Sequence, residues 1–270
     1  HMLSRFSRKF ISVLEDRGNI INAGRNIKDI FIEYRKTVGN IDPFNYDNCS
    51  DSYIEESLKN CEGNHMSFPS PPIEVMEQIM KDAHKKPINK LFEPSKICAN
   101  RIMSELVSLT SILVDDVGII RFPYFTKIIK TEIINRVLMD NFNICIQKIM
   151  DCIHMQENYL WTDNAVFVKT LENCENLDTT DSQIGIMRSL LQNYYKTVVL
   201  TIQDVIPKCI MLFIVKETED SLSSKLYDKI KSENLDDLVK EYEEIHQERL
   251  NLEKSTRELR NAKKMIESIV

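Results

Sequence analysis

Glycine and proline are scarce in this chain: 6 and 8 among 270 residues. Both residues punctuate a polypeptide at turns, so the elements between turns must be long. No strand-period alternation of any strength occurs, and long elements without it are helices. Phosphate cradles are missing as well. Neither GxxxxGK[ST] nor GxGxxG stands anywhere in the sequence, so the chain is expected neither to bind nor to hydrolyse a nucleotide. Histidine is reduced to positions 1, 65, 84, 154 and 246, with no HExxH and no ligand spacing. Cysteines 49, 61, 98, 145, 152, 174 and 209 show no CxxC spacing; their odd number and apolar settings read as reduced cytosolic thiols. No apolar run approaches the roughly 20 residues that cross a bilayer. A secretory leader is lacking, and His1-Met2 reads as a cloning scar. Basic charge is not in excess: the net value of −6 gives no global basic signal for nucleic acid or anionic lipid.

What is present is helical periodicity over a composition 43% hydrophobic and 28% charged, enough for a sizeable core. Leu3, Phe6, Phe10, Val13 and Leu14 lie at helical spacing, and Gly18 and Gly24 interrupt them. Ile27 to Val38 restarts the pattern, and Gly39-Asn40-Ile41-Asp42-Pro43 stops it. Residues 65–72 hold three prolines and read as an exposed loop. Glu93-Pro94-Ser95 opens a helix to about Val114, and Asp115-Asp116-Val117-Gly118 ends it. Phe122-Pro123 opens another, whose pattern runs on to about Val168. Residues 169–183 are acidic and aperiodic, a linker.

Chemistry-bearing clusters are few. Cys152 and His154 sit near Asp151 and Glu157, where a nucleophile is one reading and a helix with one polar face the other. Asp236-Asp237 is explained by complementing a helix N-terminus. From Leu235 to Val270, positions 235, 238, 242, 245, 249, 252, 256, 259, 263, 266 and 270 step by three and four, a heptad seam with polar interruptions at Arg249, Thr256 and Lys263. That seam packs either on its own bundle or on another segment or chain.

The most informative stretch is Ile202 to Val215, Ile-Gln-Asp-Val-Ile-Pro-Lys-Cys-Ile-Met-Leu-Phe-Ile-Val. Proline inside a helix costs about 3 kcal/mol, so a helix that keeps Pro207 has a reason to. Apolar residues run nearly all the way round this helix. One face can pack in the bundle while another meets a partner; simple core packing of Leu212 and Phe213 is the alternative.

Five further motifs stand in order before it: Ala23-Gly24-Arg25-Asn26-Ile27 to Phe31, Gly63 to Pro72, Glu93-Pro94-Ser95-x-x-Cys98, Arg121-Phe122-Pro123, and Tyr159-Leu160-Trp161-Thr162 with Phe167. With Pro207-Lys208-x-Ile210-Met211 they resemble the stalk of the dynamin superfamily, its middle domain plus GTPase effector domain, nearest in pattern to the organelle-fission members. Departures are His65 where the family often carries arginine, Trp161 for the usual Asn, and Asn164 for the usual His.

The resemblance implies an all-α, elongated antiparallel four-helix stalk with a long C-terminal heptad helix. Residues 3–168 would be the middle domain, 169–183 a short linker replacing the family insert, and 184–270 the effector helices, with 235–270 a bundle-signalling-type helix. It implies a self-assembly function without catalysis in this chain. The dimer contact would use Leu212, Phe213 and Met155, and higher assembly Gly24, Arg25, Gly63, Asn64, His65 and Met66. Implied partners are further copies (crossed dimer, tetramer, filament), the GTPase head of a parent protein and, indirectly, a membrane; nucleic acid is not among them. GTP and magnesium would belong to that parent alone, and the setting would be cytoplasmic, peripheral to membranes. A coiled-coil or spectrin-like adaptor or tether is the competing reading. It accounts for helices and heptads but not for the ordered motifs, and no internal repeat favours it.

Overall fold

The computed structural model describes residues 2–14, 23–62, 73–82, 84–172 and 180–267. Their regular structure is helical, with no strand among them. Along the chain run α1 (Met2–Leu14), α2 (Ala23–Gly39), α3 (Asp51–Glu62), α4 (Ile73–Met80), α5 (Phe92–Asp116), α6 (Pro123–Lys130), α7 (Met139–Asn158), α8 (Ala165–Glu172), α9 (Thr180–Ile210), α10 (Glu217–Lys231), α11 (Leu235–Leu238) and α12 (Glu243–Glu267). Two π-helical stretches, Thr131–Leu138 and Met211–Lys216, join α6 to α7 and α9 to α10. The fold is an all-α helical bundle.

The chain forms two compact units, one from residues 1–24, 105–140 and 217–270, the other from 25–104 and 141–216. In the first, α1 and the π stretch 131–138 pack on α10. Phe6, Phe10 and Val13 of α1 are fully buried, as are Ile133, Val137 and Leu222. Burying each such side chain contributes about 1.5–3 kcal/mol. The expected stop after α5 is real: Gly118 has φ +76, a left-handed conformation that glycine adopts without cost. Pro123 then occupies the first turn of α6, where its missing N–H leaves no hydrogen bond unmade. Tyr124 donates to Glu233 Oε2 at 2.7 Å, and Lys229 to Oε1 of the same carboxylate at 2.6 Å, tying α6 to the end of α10.

In the second unit α9 packs against α3, α4 and α8. The Glu93-Pro94-Ser95 opening has a packing role: Ser95 is fully buried, donates to the Leu91 carbonyl at 2.7 Å and meets the Tyr34 hydroxyl at 3.0 Å. Gln203 of α9 donates to the Arg35 carbonyl at 2.8 Å, closing the last turn of α2, and a Cβ on Gly39 would come within 3.1 Å of its amide nitrogen.

Asp82 follows α4. It accepts from Tyr53 Oη and from the backbone N–H of His84 at 2.7 Å and of Lys85 at 3.2 Å. The Tyr53 hydroxyl, then these N–H groups, hold its carboxyl below its ordinary 3.8. A depressed carboxyl stabilises the fold above its unfolded value, and that gain is lost as pH falls through the folded value. The gap in urea midpoint between the parent chain and Asp82→Asn is therefore expected to be full at pH 7 and to close below about pH 3.8. An unchanged gap in acid would contradict this.

The structure departs from the sequence expectations in several places. The linker expected over 169–183 is helical at both ends, α8 running to Glu172 and α9 starting at Thr180. The pattern expected to run to Val168 breaks at 159–164, where Thr162 Oγ1 accepts from the Asn164 N–H at 3.1 Å and Asn164 in turn caps α8 by accepting from the Phe167 N–H at 3.3 Å. The seam from 235 onward breaks at 239–242. Segments Asn89–Asp116 and Gln183–Lys231 are long and apolar enough to cross a membrane, with mean hydropathy 1.4 and 2.0. That corrects the expectation of no such segment, which counted unbroken apolar runs and overlooked windows with scattered Ser, Thr and Asn. Each window is 44% buried in the fold, and a core helix meets the same criterion.

Candidate functional site

Helix α9 passes through Pro207 without ending and takes π geometry at Met211. Proline removes the hydrogen bond to the Gln203 carbonyl and crowds it. In the π ladder each turn is wider, and such stretches recur at functional sites. Here successive residues turn outward: Met211 is 39% and Leu212 49% exposed, and Phe213 is half-buried. The core side is held by Ile210, Ile214 and Val215. Three turns earlier on the same side, Leu200 is 56% exposed. Asp204 and Lys208 lie between, paired at 2.6 Å. This outer face of α9 is apolar at both ends with one ion pair in the middle.

Met155, on α7 of the same unit, is 56% exposed. Gly24 and Arg25 sit in the first turn of α2, with Arg25 exposed. Gly63, Asn64, His65 and Met66, and the chain break expected around Gly18, lie outside the described residues.

The Cys152–His154 reading loses its chemistry. Burial pushes the Cys152 thiol up, away from the thiolate a nucleophile needs, and His154 is exposed, its carbonyl accepting from Asn158. Among the described residues no group of three or more His, Cys, Asp or Glu is placed to hold a metal.

Two arrangements escaped the sequence reading. Arg188 of α9 is buried, donating to the Phe44 carbonyl at 2.9 Å and to Asp51 Oδ1 at 2.6 Å, with its guanidinium 4.3 Å above the Tyr46 ring. It pins the loop between α2 and α3 onto α9. A signal was available: 188 falls on the stripe of 184, 191 and 195, all buried. The second is Glu241, whose side chain is 7% exposed in the break between α11 and α12. Arg249 Nε meets it at 3.0 Å and Arg121 Nε at 3.8 Å. Arg249 also reaches Glu253 at 3.1 Å. Glu241 raises the pKa of Arg249 by its hydrogen bond. Arg121 additionally covers the Phe122 ring at 4.4 Å, so the Arg-Phe-Pro motif helps seat the start of α12. Beyond that seat α12 is solvent-exposed along nearly its whole length, Leu252, Leu259 and Ile266 included.

Comparison with known proteins gives these features a family. The model of the dynamin central region matches residues 1–176, and that of the dynamin GTPase effector domain matches residues 179–269. Vacuolar protein sorting-associated protein 1 of Schizosaccharomyces pombe is 21% identical over 348 residues, covering 100% of this chain and 49% of the relative. Dynamin-1-like protein of Mus musculus is 34% identical over 85 residues, 31% of this chain and 12% of the relative. Dynamin-related protein 3B of Arabidopsis thaliana is 32% identical over 88 residues, 32% of this chain and 11% of the relative. The chain thus spans about half the length of the first relative and about a tenth of the other two. Neither matched region is the nucleotide-binding part of its family. With both stalk models matched in order along an all-helical chain, the protein belongs to the dynamin family, and what it carries is that family's stalk, the central region followed by the effector helices.

Proposed function

We propose that this chain is the self-assembly stalk of a dynamin-related membrane-remodelling GTPase. It dimerises through the outer face of α9 and α7 and extends the dimer to tetramers and filaments through the chain ends of its helices. In the parent protein it passes the force of GTP hydrolysis from a head domain to the constriction or fission of a membrane. GTP and magnesium act in that head, not here. The working place is the cytoplasmic side of a membrane, to which the assembly is recruited peripherally. Residues 3–168 supply the middle-domain helices, 169–183 a short linker and 184–270 the effector helices.

The observation that carries the reading is the exposure of Leu200, Met211, Leu212 and Met155, each more than a third exposed on one unit. Such exposure favours burial against a partner. The seam of α12 carries a second demand. A polar helix of 25 residues that leaves its Leu and Ile side chains in water gains most when another helix covers them. By family likeness that cover is the head end of the parent.

Sedimentation velocity over a range of concentration and salt tests the proposal: dimers and larger species are expected, and a monomer at every concentration would refute it. Arg25 separates the two levels of assembly. Its guanidinium is exposed and can grip a carboxylate in a fixed geometry. Ala at this position in the first turn of α2 removes a cation from the positive end of the helix dipole, so the fold does not suffer. Arg25→Ala is expected to leave the dimer and remove species above it. Equal amounts of larger species in both chains would sink that role.

A further inference from the structure

Four apolar side chains recur every seven residues along α12: Ile245, Leu252, Leu259 and Ile266. That period places them on one side of the helix. Each is more than a third exposed, Leu259 most at 71%. An open groove of about 1050 Å³ follows this side, lined by Ile245, Arg249, Leu252, Thr256 and Lys263 among others. The charges of α12 are sorted along its length. Residues 243–253 hold four glutamates against Arg249, a net −3, and residues 254–267 hold five cations against Glu258 and Glu267, a net +3. Complementing the helix dipole accounts for the first and last turns alone. Glu248, Glu253, Arg257 and Arg260 lie further in.

We propose that this side of α12 is a contact surface for α12 of a second copy, laid antiparallel. The antiparallel order sets each acidic half against a basic half. A parallel pair would set like charge against like along the whole contact. The seam selects the same order. With Thr256 opposite the partner's Leu259, Leu252 faces the partner's Lys263 and Arg249 faces the partner's Ile266. Every layer then joins an aliphatic side chain to a threonine methyl or to the carbon stem of a cation. A parallel pair would stack Arg249 on the partner's Arg249 and Lys263 on the partner's Lys263. Beside the seam, Glu253 meets the partner's Arg260, and two-fold symmetry repeats the pair. Arg249 already takes Glu253 Oε1 at 3.1 Å, so the partner's Arg260 takes Oε2.

This contact goes beyond the assembly proposed above and is separate from the face on α9 and α7. Polar seam layers and exposed ion pairs make it weak. Cross-linking captures such a pair, while the mass in dilute solution is set by the α9 face. A head helix and a second α12 compete for one seam, so the pair belongs to chains whose α12 is uncovered.

The test mixes unlabelled and nitrogen-15-labelled full chain at high concentration. A carbodiimide joins carboxylates to amines in direct contact, and the digest is mapped by mass spectrometry. A link between a light and a heavy peptide lies between copies. Expected are heavy–light links from Glu253 to Lys263 and from Glu248 to Lys264, which the antiparallel register brings side by side. Arg260→Glu should lower the Glu248–Lys264 link by about fivefold, and adding Glu253→Arg should restore it, because the pair is then exchanged and kept. Leu212→Asp, aimed at the α9 face, should leave both links in place, so the two contacts fail or stand separately. Heavy–light links from Lys263 or Lys264 to Glu267, with none to Glu248 or Glu253, would show a parallel pair. Links from α12 to a different segment of the second copy would give the seam to that segment. An absence of heavy–light links on α12 would leave it unpaired. Any of these overturns the proposal.

Discussion

Leu212→Asp combined with Phe213→Asp is expected to convert the dimer to a monomer while helicity persists. A carboxylate carried into an apolar contact without a partner costs several kcal/mol. Two of them should raise the dimer dissociation constant by at least about 100-fold, equivalent to about 3 kcal/mol. The isolated stalk tolerates the change because Leu212 is 49% exposed in the monomer. Phe213 is half-buried, so Leu212→Asp alone serves as the gentler variant. Light scattering and far-ultraviolet dichroism at matched concentrations decide it. An unchanged mass removes these residues from the dimer contact. A loss of helicity assigns them to the core instead.

Arg188→Ala is expected to give the largest loss of stability of any single polar substitution in this chain. The guanidinium is 4% exposed, and truncation leaves the Phe44 carbonyl and the Asp51 carboxylate short of their main donor and uncovers the Tyr46 ring. Gln192 still reaches the Phe44 carbonyl at 3.3 Å, which softens the effect. The cost should be about 2–3 kcal/mol, a fall in Tm of roughly 5–10 °C. Arg188→Lys should recover little, because an ammonium cannot serve the carbonyl, the carboxylate and the aromatic face together. Thermal unfolding followed by dichroism measures both variants. A change in Tm within error for Arg188→Ala would show that the loop between α2 and α3 is held by other contacts.

Helices were legible where period and punctuation agreed. Gly118 after Asp115-Asp116, Pro123 after Phe122 and the long apolar run through Pro207 all mark features that the structure contains. Each depends on neighbours a few residues away, which is what a sequence displays. Arg188 with Phe44 and Asp51, and Glu241 with Arg121, were not legible, because each joins residues 120 to 144 apart whose meeting follows from packing alone. The π stretches were missed for another reason: no residue type marks them, and the hydrogen-bond register slips without a change of hydrophobic period. Within the candidate site, Leu212 and Met155 were named from likeness to a family, and their exposure came only with the fold.

The seat of α12 has a mechanical consequence. A helix of 25 residues is a stiff rod about 37 Å long. One end rests on the Glu241 side chain between two guanidinium groups, and beyond it α12 is exposed to solvent along nearly its whole length. A rod clamped at one end multiplies small rotations: a tilt of about 10° at the clamp carries the far end about 6 Å, the rise of roughly four helical residues. Three side chains thereby set the gain of a lever, and exchanging Arg121 or Arg249 for a shorter cation would slacken its pivot without altering its length.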